Sequence, residues 1–154
     1  DLGLTHNGVI VDAAITVPVG GVSEEAKKLL AATEAALAKG IAAAVPGNHV
    51  GDISHAIQKE IEGAGFKVVR ELGGHGVGDL VHEEPFIPNF GRPGEGPVLS
   101  EGMVLALEPI SAVGKAAVIL ASDGYTYRTR DGSLSAHFEH TILIEKGGAR
   151  IITA

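Results

Sequence analysis

The chain has 154 residues, 45% of them hydrophobic, a net charge of −7 and no cysteine. That is length enough for one domain with a substantial core, while the acidic balance without a basic patch argues against a nucleic-acid surface. Missing cysteine removes disulfide frameworks and thiolate metal sites, which suits a reducing cytoplasm; no apolar run approaches the roughly 20 residues of a membrane span, and no signal peptide is visible.

Residues 1–6 and 9–17 are predicted to open the chain as a β-hairpin. Asn7-Gly8 between two apolar runs carries that signal, because a two-residue type I′ turn needs positive φ at both central positions. In this register His6 faces Val9, Gly3 faces Asp12 and Asp1 faces Ala14, so Asp1 and Asp12 become diagonal neighbours on one face. Carboxylates that close repel unless a proton or a metal lies between them. Asp12 also stands among Val9, Ile10, Val11, Ala13, Ala14 and Ile15, where an unpaired carboxylate is costly. Asp1 sits inside a strand with nothing before it, and such a bare edge predicts a fragment of something longer.

Ser23 reads as an N-cap, with Glu24 and Glu25 at the positive end of the helix dipole. Ala26, Leu29, Leu30, Ala36, Leu37, Ile41 and Ala44 follow helical spacing, which predicts a helix over 24–44. Pro46-Gly47 breaks it. A second helix is predicted over 49–63, with Val50, Ile53, Ile57 and Ile61 on one face and Gly65 as its stop. Strands follow at 66–71, 84–87 and 103–110, then a hairpin of 118–121 with 125–129 across Asp123-Gly124, and last 136–144 and 150–153. Residues 72–102 are otherwise rich in glycine and proline. Two helices among antiparallel strands read as α+β.

Three motifs downstream supply co-ligands for the aspartates. Gly73-Gly74-His75-Gly76-Val77-Gly78 could be a phosphate-cradling loop, but that needs a helix to follow at once, and His82-Glu83-Glu84-Pro85 follows instead. A plain turn with an incidental His is the second reading. The third is that the glycines let the backbone crowd a site that His75 enters, with His82 in reach of the same cavity. Glu108 ends the apolar run 103–107 and precedes Pro109, and Glu139 lies between Phe138 and His140. Charged groups in such surroundings are paired or metal-bound when buried, or else lie at an edge. Together Asp1, Asp12, Glu108 and Glu139 carry a charge of −4, which two divalent cations balance, and a neutral His75 completes the set. Oxygen-rich ligation without thiolate favours manganese, iron, cobalt or zinc, and a bridged pair of ions is hydrolase chemistry.

Asp1 and Asp12 around the Asn-Gly hairpin, Gly74-His75-Gly76-Val77-Gly78, His82-Glu83-Glu84-Pro85, Gly102-Met103, Glu108-Pro109 and Phe138-Glu139-His140-Thr141 occur in this order. The series resembles the catalytic core of type I methionine aminopeptidase, roughly its last three-fifths. The resemblance implies the pita-bread fold, a curved antiparallel sheet backed by helices, and residues 1–154 as a single partial metallopeptidase domain. It implies removal of the N-terminal methionine from nascent polypeptides in the cytoplasm. Asp1 and Asp12 would hold one metal, Asp12 would bridge to the second metal, His75 and Glu108 would complete that second metal's ligands, and Glu139 would bridge both. Glu108 would accept and return the proton, and His82 would hydrogen-bond the substrate near the scissile amide. Val81 and Tyr125 would line the methionine pocket. Gly73 stands where many relatives carry a Cys that is not a ligand. The implied partners are nascent peptide N-termini and an N-terminal segment that could act in trans, with no nucleic acid and no membrane.

Prolidase and aminopeptidase P share the implied fold and metal set but usually carry Asp after the final glutamate, so His140 favours the methionine enzyme. A non-catalytic pita-bread binding module, of the kind found in histone chaperones, typically loses metal ligands, whereas all five positions are filled here.

Overall fold

A computed structural model describes residues 1–153. The elements run β1 (Leu2–His6), β2 (Val9–Ala14), α1 (Glu24–Ala43), α2 (Val50–Gly63), β3 (Lys67–Val68), β4 (Gly73–Gly76), β5 (Glu83–Pro88), β6 (Val104–Leu107), β7 (Ile110–Ala112), β8 (Val118–Leu120), β9 (Tyr127–Thr129), β10 (Ser135–His137), β11 (Glu139–Glu145) and β12 (Gly148–Ile151). The main sheet has the order β1-β2-β11-β6-β4-β5, with β12 also paired to β11; β10-β7-β3 and β8-β9 form smaller sheets. Every recorded strand pair is antiparallel.

The opening hairpin forms as its turn chemistry dictates. Asn7 and Gly8 have φ of 50° and 80°, and the ladder pairs His6 with Val9 and Gly3 with Asp12. Its last pair is Leu2 with Ala13, one step before Asp1 and Ala14, and on the other edge of the strand Ala14 pairs with Glu139. The second strand stops at Ala14, short of the expected residue 17. Beyond it the Thr16 hydroxyl replaces the ladder, donating to the His137 carbonyl at 2.7 Å and accepting from its amide at 2.9 Å.

The helices begin at side-chain caps. Ser23 Oγ accepts from the Ala26 amide at 3.1 Å, and the His49 amide donates to Asp52 Oδ2 at 2.7 Å. Leu29, Ala36 and Leu37 of α1 and Val50, Ile53, Ile57 and Ile61 of α2 are buried in one apolar cluster with Leu105, Leu107, Ile142 and Ile144 of the sheet. Strand alternation therefore gives the helices one face of β6 and β11. Ala106, Glu108, Glu139 and Thr141 belong to the other face.

Two strands expected to be continuous are broken. The segment 103–110 divides at Glu108-Pro109 into β6 and β7, and 136–144 divides at Phe138 into β10 and β11. Proline has no N–H to give a ladder, so only the Phe138 amide bridges the gap, donating to the Pro109 carbonyl at 3.4 Å. The register nevertheless runs through: His140 lies opposite Leu107 on one side and His137 opposite Ile110 on the other. Glu139 is thus left opposite Glu108 at a bend shared by both strands. The expected strand at 66–71 shortens to β3, after which Arg70 and Glu71 turn to solvent.

Candidate metal centre

One carboxylate or imidazole comes from each of five neighbouring strands. Asp1 immediately precedes β1, Asp12 is in β2, Glu139 in β11, Glu108 immediately follows β6, and His75 is in β4. The registers align them. Gly3 pairs with Asp12, so Asp1, two residues earlier, shares its face. Asp12 sits beside Thr141, whose hydroxyl accepts from the Asp12 amide at 2.8 Å and donates to its carbonyl at 2.7 Å; Glu139 is two residues from Thr141. His75 pairs with Ala106, two residues from Glu108. The five side chains form a row across one face of the sheet.

Their ligand atoms converge in overlapping groups. Those of Asp1, Asp12 and Glu139 lie within 4.8 Å of one another, as do those of His75, Glu108 and Glu139. Glu139, on the middle strand, belongs to both. Asp12, His75 and His82 form a third group at the same limit, so Asp12 also reaches toward the imidazole side.

The glycines around His75 permit this crowding. A Cβ on Gly74 would collide with the Ala106 carbonyl oxygen, and one on Gly76 with that of Glu84. His75 Nδ1 lies 3.0 Å from the Gly76 carbonyl. A carbonyl can only accept, so Nδ1 carries the proton and Nε2 keeps the lone pair a metal needs. That Nε2 is 3.7 Å from Glu108 Oε1.

Asp12, His75 and Glu139 are buried, and Glu139 is only 2% exposed. Burial first, then the charges of Glu108 and Asp12, push the Glu139 carboxyl up to about 8 from 4.5. Among the described residues no Lys or Arg pairs with Glu108 or Glu139; their neighbours are the imidazoles of His75 and His137, and the N-terminal ammonium offsets only part of the upward push on Glu139. Carboxylates stripped of water and facing one another without Lys or Arg need protons or a multivalent cation. The donor set fits divalent metal on these grounds: oxygen-rich, one oriented imidazole, and more negative charge than the protein itself neutralises.

The row forms the floor of a cleft of about 580 Å³, whose walls include Leu72, Ile110, Tyr125 and Tyr127. His82, exposed, stands edge-on to His75 with ring centroids 4.4 Å apart and planes at 72°. Tyr125 projects from the β8–β9 turn, 88% exposed. Val81 lies toward β1, 3.8 Å from where a Cβ on Gly3 would stand. His137 also borders the cleft, with Nε2 3.3 Å from Glu108 Oε2 and 4.0 Å from Glu139 Oε2. Nothing in the motifs marked it; the available signal was its spacing of two from Glu139.

The model of metallopeptidase family M24 matches residues 1–146. A methionine aminopeptidase of Clostridium perfringens is 50% identical over 153 residues, 99% of this chain and 61% of that protein. Methionine aminopeptidase 1 of Bacillus subtilis is 49% identical over 99% of this chain and 62% of its own length. The crystal structure of methionine aminopeptidase from Thermotoga maritima superposes with a TM-score of 0.96 at 48% identity, over 98% of this chain and 61% of that one. Prolidase from Pyrococcus furiosus is more distant, with a TM-score of 0.75 at 26% identity over 40% of its length. The chain thus spans about three-fifths of the aminopeptidases it matches, and its architecture is the pita-bread fold that these neighbours share.

Proposed function

The chain belongs to metallopeptidase family M24, and from that premise we propose that it releases the N-terminal methionine of polypeptides, using two divalent ions held by Asp1, Asp12, His75, Glu108 and Glu139. The observation that carries this reading is the row of five side chains, one per strand, with Glu139 common to two groups of ligand atoms. Asp1, Asp12 and Glu139 would hold one ion; His75, Glu108 and Glu139 would hold the other, with Asp12 reaching both. When bound, such a pair lowers the pKa of a shared water and polarises a carbonyl.

The chain's own groups supply the remainder. Glu108, at the mouth of the bend between β6 and β7, takes the proton from the attacking water and returns it to the leaving amine. His82, exposed beside His75, donates a hydrogen bond to the scissile carbonyl oxygen as negative charge develops there. The apolar wall of Leu72, Ile110 and Tyr125 receives the unbranched methionine side chain, which adapts readily to such a surface. Val81, near Gly3 and Asp12, is assigned to the edge of that pocket. Nascent peptide N-termini in the cytoplasm are the substrates this chemistry fits. Among the described residues no helix is long and apolar enough to cross a membrane.

The test is N-terminal residue release from Met-Ala-Ser, Ala-Pro-Ala and Gly-Pro peptides with manganese or cobalt and with EDTA. Metal-dependent release of Met alone is expected. Release ahead of proline would replace the reading with a prolidase-type activity, and no release from any peptide would refute catalysis by this chain.

A further inference from the structure

Two buried side-chain atoms lack a hydrogen-bond partner among the described residues, Asn89 Oδ1 and His137 Nε2, and both residues border Glu108. Asn89, fully buried, donates from Nδ2 to the Glu108 carbonyl at 2.9 Å, which fixes the backbone at the bend. His137 approaches the other end of the residue. Its Nε2 is 3.3 Å from Glu108 Oε2, while Oε1 of the same carboxylate faces His75 at 3.7 Å. The ring is delivered by a held backbone, since Thr16 clamps both the amide and the carbonyl of His137. His137 is absent from each of the three groups in which ligand atoms converge, so its place is beside the metal ligands.

We propose that His137 is a positioning residue: its Nε2–H donates to Glu108 Oε2 and holds that carboxylate with Oε1 turned toward His75 and the ion they share. A buried N–H with carboxylate oxygens as its facing acceptors gains most by bonding one of them, and Glu108 is nearer than Glu139. The inference rests on the metallopeptidase reading, because Glu108 there has two duties, ligand and proton carrier. A carboxylate free to rotate would exchange its oxygens between those duties. Outer partners of this kind typically change metal affinity by about 10–100-fold when removed.

The test compares His137→Phe, which keeps the ring volume without a donor, with His137→Gln, whose amide N–H can still reach Glu108. Cobalt is titrated into the chelator-stripped full chain, following visible absorption, and kcat and KM are measured on Met-Ala-Ser. For His137→Phe the cobalt at the His75–Glu108 position is expected to bind about 10–100-fold more weakly, with an altered spectrum. The Asp1–Asp12 position keeps its affinity, and kcat falls while KM is nearly unchanged. His137→Gln restores both binding and kcat. Should the Phe variant fail to fold by circular dichroism, His137→Asn, whose amide is too short to reach Glu108, carries the same expectation. Native cobalt affinity and spectrum in a folded Phe or Asn variant would overturn this inference alone. A native sequence that takes up no cobalt would overturn the metallopeptidase reading and this inference with it.

Discussion

Replacing Glu139 by Gln removes one negative charge from the middle of the carboxylate row while keeping the side chain's size. In the metal-free chain the Glu139 carboxyl titrates near 8 instead of 4.5. The folded state therefore binds a proton the unfolded chain has already lost, so this group's contribution is whole below pH 4.5 and disappears as pH rises through 8. Near pH 7 the folded form keeps that proton across about 2.5 pKa units, which at about 1.36 kcal/mol per unit is a loss of about 3 kcal/mol. Gln carries no such loss. Chelated Glu139→Gln protein is thus expected to be the more stable form near pH 7, with a melting temperature higher by roughly 6–12 °C for a chain of this size. Near pH 4.5 the two should melt together. The assay is thermal unfolding followed by circular dichroism in EDTA across that range, then repeated with manganese, which should stabilise the native sequence much more than the variant. Parallel pH profiles for the two chelated proteins would refute the idea that Glu139 is buried among like charges.

Four further outcomes are expected. Glu108→Gln should keep the circular dichroism spectrum and lose about 10²–10⁴-fold in kcat, the range for a removed general acid–base group; retained turnover would exclude its proton transfer. EDTA should lower the melting temperature of the native sequence, and divalent cation at about 100 times its Kd should restore about 2.7 kcal/mol; identical melts would count against a formed metal centre. Gly74→Ala drives a methyl group into the Ala106 carbonyl, so it should cost about 3 kcal/mol in urea unfolding and weaken metal binding with it. His82→Ala should leave metal stoichiometry unchanged and reduce kcat: its imidazole lies near Asp12 and His75 but is exposed and is assigned to the substrate; loss of a bound ion would make it a ligand instead.

The hairpin could be read from the sequence because Asn7-Gly8 admits few turns, and the register that places Gly3 opposite Asp12 follows from the turn alone. The first helix was readable from its Ser23 cap and apolar spacing, and the second from Val50, Ile53, Ile57 and Ile61, since periodicity survives burial. Glu108 and Glu139 stood out as acids in apolar strands. Their facing each other did not, because that depends on pairing between segments thirty residues apart, which no local pattern encodes. Pro109 held the signal for the bend, read only as an edge. Phe138 held none, as its strand breaks for the sake of its neighbour's. His137 escaped because a histidine in a strand is unremarked until Glu139 fixes which face is the site; the spacing of two then places both on it.

We propose that five strands each supply one ligand to a pair of ions sharing Glu139. Anomalous diffraction from crystals of this chain grown with manganese tests it most directly. Two adjacent peaks are expected, one within ligand distance of Asp1, Asp12 and Glu139 and the other of Glu139, Glu108 and His75. A single peak away from Glu139, or none at saturating manganese, would contradict it.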